Sequence, residues 1–157
     1  TTIKKKLLLY IFFSCLFFNF IYLASWTYKN HPFQYLYFNN LAMNKWHSNF
    51  EMDYSGVSFK QGIKHIISID SREKINIYIG PLYSRKAFFS LMPKERKRVF
   101  LNDSISTSDY VLINYRFNQD KEAFFYQKKI LQLHEEGYTK IYDFKVDNVV
   151  FLSVFSR

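Results

Sequence analysis

The chain has 157 residues, 48% of them hydrophobic and 21% aromatic, which excludes intrinsic disorder and supplies apolar material for one domain of ordinary size. It is formally +9, with 22 Lys and Arg against 13 Asp and Glu. A lone cysteine, Cys15, excludes a disulfide framework, and with only 4 Gly and 3 Pro there is no low-complexity tract or flexible linker.

The first predicted element is a transmembrane helix over residues 7–26, LLLYIFFSCLFFNFIYLASW. At about 1.5 Å per residue, about 20 residues cross a bilayer's hydrocarbon core. No charged side chain lies between Leu7 and Tyr28, where one near the centre would cost roughly 2.5–3.5 kcal/mol. A cleaved signal peptide has an apolar core of only about 7–15 residues and small residues before the cut, whereas this run is longer and carries the bulky Tyr22. A buried helix of a soluble protein would need more surrounding protein than the rest of the chain supplies. Lys4, Lys5 and Lys6 directly precede the span, so the N-terminus is expected in the cytoplasm and the remainder outside. Long translocated domains do not count in that rule, so the basic charge further on does not reverse it.

Residues 1–28 thus form a basic flank and span, and residues 29–57 an aromatic segment suited to the membrane interface. Pro32 biases His31 to an extended conformation, which predicts that the helix stops or kinks there. Residues 58–157 read as an extracytoplasmic domain. Ser58 and Gln61 have capping-box spacing, and Phe59, Ile63, Ile66 and Ile67 share one helical face. Ile75, Ile77 and Ile79 alternate as in a strand that ends at Gly80-Pro81. Residues 84–92 suggest a second helix stopped by Pro93. A short strand over 99–101 and a stronger, interior one over 109–115 follow. A helix over 120–136 sets Ala123, Tyr126, Ile130 and Leu133 on one face and is capped by Gly137, and residues 140–146 and 149–155 form a hairpin about Asp147-Asn148. The predicted fold class is α/β: one N-terminal transmembrane helix followed by a small mixed α/β domain ending in an antiparallel hairpin.

Motifs that carry chemistry are few. His31, His47, His65 and His134 show no metal-ligand spacing, Cys15 lies in the span, and no phosphate loop or nucleophile elbow is present, so neither a metal nor another cofactor is expected. Glu51 and Asp53 share a face if residues 50–54 are extended; they either pair with Lys45 or Lys60 and face water, or serve sugar binding or loop anchoring. The run Lys94, Arg96, Lys97, Arg98 reads first as a solvated helix end. Its functional alternative is contact with anionic lipid headgroups or a lipid-linked phosphate, worth about 1 kcal/mol per basic residue. No aromatic platform is interleaved with it, and no nucleic-acid partner is expected.

Several stretches resemble a known family. HPFQYLYFN (31–39) after an apolar span, then NFEMDYSGVSFKQGI (49–63), SDYVLINYR (108–116) and VDNVVFLSVFSR (146–157), are similar to the last membrane helix and extracytoplasmic tail of multi-spanning bacterial C-type glycosyltransferases, related to protein mannosyltransferases and aminoarabinose transferases. Ser55 stands where the family pattern has an aromatic, usually Trp. The resemblance implies a parent enzyme of the bacterial inner membrane that transfers a sugar from a polyprenyl-phosphate donor, with the bilayer and the rest of that enzyme as partners. It also implies that the essential acid lies in an early loop not found in this chain, which would be non-catalytic alone. At the matched positions His31, Tyr35, Tyr37, Asn39, Glu51, Asp53 and Tyr54 are candidate binding or anchoring residues. The alternative is a stand-alone, single-pass membrane-anchored binding or assembly module.

Overall fold

Residues Thr2–Lys29 contain neither Gly nor Pro, and they form one continuous helix, α1, in the computed structural model, which describes residues 2–34, 53, 56–80, 85–115, 119–146 and 148–157. The helix takes in Lys4 to Lys6 and runs past Trp26, because lysine and threonine are tolerated in helices and nothing breaks the chain before Asn30. There the Asn30 backbone N–H and side-chain amide both donate to the Trp26 carbonyl at 3.0 Å, and the helix ends at Lys29, three residues before Pro32. The stretch Ile3–Lys29 is long and apolar enough to cross a membrane, and its apolar side chains are uncovered by protein. Contacts divide the chain into two units, Thr1–Tyr37 and Phe38–Arg157. Most of the expected interfacial segment, 29–57, lies outside the described residues.

The second unit is an α/β domain around a five-stranded sheet. Its elements are α2 (Val57–Ile69), β1 (Ile75–Tyr78), α3 (Arg85–Phe89), α4 (Pro93–Arg98), β2 (Val99–Asn102), β3 (Tyr110–Asn114), α5 (Gln119–Glu135), β4 (Thr139–Val146) and β5 (Val149–Ser156). The strand order is β2-β1-β3-β5-β4. β1 pairs in parallel with both β2 and β3, whereas β5 runs antiparallel to β3 and β4. β3 is therefore the seam between a parallel and an antiparallel half, and its residues 110–113 are all buried, as its unbroken apolar sequence predicts. The terminal hairpin forms with Val146 opposite Val149 and Asn148 in the left-handed region at φ 65°, which asparagine tolerates.

Period-two alternation separates two faces. Ile75, Ile77, Leu112, Leu152 and Val154 point to one side and join Phe59, Ile63 and Ile66 of α2 with Ala87 and Leu91 of the α3 segment in one buried cluster. On the other side, α5 sets Tyr126 4.9 Å from the Tyr115 ring and His134 6.2 Å from Phe155. α5 ends in a Schellman arrangement. Gly137, at φ 86°, donates to His134 O, and Tyr138 N–H donates to Leu133 O at 2.8 Å.

Three local expectations are corrected. Ser58 is not the cap of α2, because Gly56 takes that position in the left-handed region and Ser58 is buried within the first turn. Pro93 does not merely stop a helix over 84–92; that helix ends at Phe89, and Pro93 opens α4, where a missing N–H costs nothing. The basic run is therefore a helix of its own, with the Met92 N–H donating to the Glu95 carboxylate at 2.8 Å.

Gly62 allows α2 to lie close on the sheet. A Cβ there would sit 2.6 Å from Leu152 Cδ2 and 2.9 Å from Leu112 Cδ2, so both leucines would have to move. Gly62→Ala gains up to about 1 kcal/mol of helix propensity, yet overpacking typically costs about 1–3 kcal/mol. The substitution is expected to lower stability by about 1 kcal/mol or more, read from chemical denaturation followed by near-ultraviolet circular dichroism.

Candidate functional site

Carboxylates hold both ends of β3, the buried Asp53 at one and the half-buried Asp109 at the other, and polar geometry in the domain concentrates around them. At its carboxyl end Asp53, only 1% exposed, accepts the Val57 N–H on Oδ1 at 2.9 Å and the Ser58 N–H on Oδ2 at 3.0 Å. The Asn114 amide donates to the same Oδ2 at 2.7 Å and to Ser58 Oγ at 2.8 Å. Gly56 offers no side chain to the first turn of α2, and Asp53 supplies the anion that the orphan N–H groups favour. Next to Asn114, Tyr115 donates its N–H to Phe151 O at 2.9 Å and its hydroxyl lies 3.0 Å from Ser153 Oγ, which donates to Asp143 at 2.5 Å. Lys140 completes the chain with a 3.0 Å ion pair to Asp143. Burial raises the Tyr115 hydroxyl above its ordinary pKa, so it stays protonated through the neutral range.

At the amino end of β3, Asp109 accepts the Asn76 N–H on Oδ2 at 2.7 Å and Arg72 on Oδ1 at 2.9 Å. The same guanidinium holds Asp70 through Nε and Nη2, and the Tyr110 hydroxyl donates to Asp70 at 3.1 Å. Arg72 hydrogen bonding, opposed by burial, holds the Asp70 carboxyl down at about pKa 2, and Arg72 is held further in its charged form by Asp70 and Asp109. These groups border a cavity of about 550 Å³ that Ser106, Thr107, Ser156 and Arg157 also line. Most of its polar groups point at each other. Arg157 donates to Ser106 O at 2.8 Å with its guanidinium carbon 5.5 Å from the Tyr138 ring centroid, and the Tyr138 hydroxyl lies 2.6 Å from both Ile105 O and Ser108 O.

Both clusters do the same chemistry. A carboxylate that already accepts backbone N–H, amide or guanidinium donors holds chain segments in place, whereas a general base must direct a free lone pair at a substrate proton. Among the described residues no group of three His, Cys, Asp or Glu side chains could hold a metal ion. Two of the described histidines have other engagements: His65 stacks on Tyr142 at 3.9 Å, and His134 Nδ1 lies 3.0 Å from Tyr138 O.

Of the residues singled out in the sequence, Tyr35, Tyr37, Asn39, Glu51 and Tyr54 lie outside the described residues. His31 is exposed beyond the end of α1, with its Nδ1 against the Gln34 amide. Asp53 occupies the anchoring position just described. In the basic run, Arg98 turns inward, donating to Arg72 O at 3.0 Å, to Ile67 O at 3.4 Å and to Asp70 O, so it closes the open carbonyls at the end of α2. Arg96 is half-buried, and Lys94 and Lys97 are exposed. Asn114, Asp70, Arg72 and Asp109 escaped the sequence reading. The available signals were a polar residue ending an apolar strand and an Asp-x-Arg triplet directly after a helix. No family model, curated protein or solved structure matches the chain.

Asp53→Ala should cost about 1–3 kcal/mol, since it removes a helix cap and leaves the Asn114 amide without that acceptor. Asp53→Asn should cost a similar amount, since both Asp53 oxygens accept N–H donors and the amide NH2 would face at least one of them; both variants are read by chemical denaturation.

The Asp70 carboxyl titrates near 2 in the fold against an ordinary value of 3.8. Its contribution, on the order of 2 kcal/mol, is fully present above about pH 4 and disappears as pH falls through 2. Arg72 is 52% exposed but Asp70 only 7%, so Arg72→Met strands a buried carboxylate. The variant should lose about 2–3 kcal/mol at neutral pH and show a smaller further loss between pH 4 and 2 than the parent, measured as denaturation midpoints across that range.

Proposed function

We propose that the chain is the C-terminal, membrane-anchored tail of a polyprenyl-phosphosugar-dependent membrane glycosyltransferase of the bacterial inner membrane, non-catalytic by itself, with its α/β domain outside the cytoplasm. The observation that carries this reading is the meeting of three family-like stretches at one point. Asp53 and Ser58 come from NFEMDYSGVSFKQGI, Asn114 and Tyr115 from SDYVLINYR, and Phe151 and Ser153 from VDNVVFLSVFSR, and direct hydrogen bonds join them at the carboxyl end of β3. Segments far apart in sequence that resemble one family's tail are thus parts of one structural unit. The charge pattern of α1 supports the orientation, with Lys4, Lys5 and Lys6 at its start.

The lack of catalysis follows from the geometry of the reaction. Glycosyl transfer needs a base near the acceptor and a stabilised site for the leaving phosphate, in a cavity that excludes water. The one span among the described residues carries no acid and cannot by itself enclose a lipid-linked donor, and the Asp53 and Asp70 carboxylates are occupied by backbone N–H and guanidinium donors.

The purified chain should show no sugar transfer from polyprenyl-phosphate donors. The upstream reading frame should be continuous and encode further apolar spans with an early acidic loop. In that full-length enzyme Asp53→Ala should lower transfer several-fold by loosening the tail. Turnover by the isolated chain, or an in-frame start immediately before Thr1 with no such upstream sequence, would remove the assignment. In a Cys15→Ser background, a membrane-impermeant maleimide applied to intact spheroplasts should label Lys128→Cys and not Lys4→Cys, and the opposite pattern would invert the topology.

A further inference from the structure

The short helices α3 and α4 present a surface that the domain does not use. Ala87 and Leu91 are buried in the core and Phe88 packs against it, which fixes the inner side of the segment. On its outer side Phe89 is 66% and Met92 61% exposed, neighbours in sequence of the exposed Lys86, Lys94 and Lys97. Large apolar side chains kept in water beside lysines are unfavourable unless something covers them. The acid of this segment, Glu95, receives the Met92 N–H and so neutralises the start of α4. Arg98 is turned to the end of α2 and adds nothing to the outer surface. What remains exposed, among the described side chains of this segment, is an apolar pair flanked in sequence by three lysines.

We propose that this segment docks on an anionic bilayer surface, with Phe89 and Met92 entering the headgroup layer and Lys86, Lys94 and Lys97 meeting lipid phosphates. The composition is that of an interfacial element, in which apolar side chains partition into the headgroup boundary and lysines add attraction to anionic lipid. The bilayer is the occupant favoured by the molecule itself. α1 is long and apolar enough to insert, and a domain on the same chain then meets a lipid surface at raised effective concentration. The surface charge is also complementary to that of anionic phospholipid and unlike that of a second copy of the same basic patch, which would repel it. Leu131 on α5, exposed to a similar degree, lies instead beside Gln132 and the acid Glu135. The inference does not depend on the glycosyltransferase reading, and requires only that α1 spans a membrane.

The test uses the full chain in lipid nanodiscs with a nitroxide label, comparing discs of phosphatidylglycerol and phosphatidylcholine with discs of phosphatidylcholine alone. A label on Ser90→Cys in a Cys15→Ser background leaves Phe89 and Met92 in place. Its collisions with a water-soluble nickel chelate should fall several-fold in the phosphatidylglycerol discs and stay high in phosphatidylcholine. Each lysine near an anionic surface contributes about fivefold in partitioning, so changing Lys86, Lys94 and Lys97 together to Glu should restore full access to the chelate. A label on Leu131→Cys should remain open to water in both discs. A label on the native Cys15 should be shielded in both, which establishes the span separately from the docking. Docking is overturned if Ser90→Cys is equally open in the two lipids with Cys15 shielded, or if it is equally closed in both, since cover that ignores lipid charge would come from protein.

Discussion

The burial of β3 on both faces constrains everything else in the domain. A strand with no solvent along its length must satisfy its backbone through its neighbours and must have its ends closed by side chains, because an unpaired polar group there costs about 1–3 kcal/mol. Its edges are met by β1 in parallel and β5 in antiparallel fashion. Its ends are met by Asp109, which ties the entrance to Asn76 of β1, and by Asn114, which ties the exit to Asp53 and the start of α2. Because Arg72 joins Asp109 to Asp70, the end of α2 is fixed to the same strand as its beginning. α2 is therefore held at both termini by carboxylate chemistry and along its length by the close approach at Gly62. Loosening any one of these releases a backbone that cannot turn to water.

The large aromatic content has two kinds of surroundings. In α1 the rings of Phe12, Phe13, Phe17 and Phe18 point away from protein, as apolar side chains do where lipid replaces a core. In the domain, aromatic residues fill the interior only where their polar atoms are answered. Tyr138 is fully buried with its hydroxyl against two carbonyls, Tyr115 reaches Ser153, and Tyr110 reaches Asp70. With its only thiol in α1, a domain of this size holds together by packing and by satisfied hydroxyls, and these three tyrosines each set an apolar ring in the interior with its hydroxyl on a polar partner.

The elements legible in the sequence were those governed by local pattern. The apolar run of α1, the alternation of Ile75, Ile77 and Ile79, the continuous β3 sequence, Gly137 and the final hairpin all state their conformation within a few residues. The failures occur where a distant group wins over a local one. Ser58 and Gln61 have capping spacing, but Asp53 outcompetes a hydroxyl for the first turn because a carboxylate makes the stronger, charge-assisted bond there. Pro93 begins a helix, and the one before it has already ended at Phe89, a distinction that sequence spacing cannot make when the intervening turn is short. Arg98 looked like part of a uniform basic run, yet the carbonyls left open at the end of α2 draw it inward. Asn114 gave no signal as a partner of Asp53, since nothing local relates positions 61 residues apart.

The same competition decides what the positive charge of the chain means. A net charge of +9 suggests a strong field, but the cations have different duties. Lys4, Lys5 and Lys6 belong to α1, Arg72 is neutralised by two aspartates, Arg98 and Arg157 donate to backbone carbonyls, and Lys140 is paired with Asp143. A guanidinium with its fork of donors is the residue suited to such internal work, whereas lysine keeps a strongly hydrated head that prefers the surface. Arginines therefore tie elements together while exposed lysines such as Lys94 and Lys97 set the field outside, and one basic run contains both kinds. Counting its charges overstates its surface, and the side chains that face outward have to be read from which carbonyls the neighbouring elements leave unsatisfied.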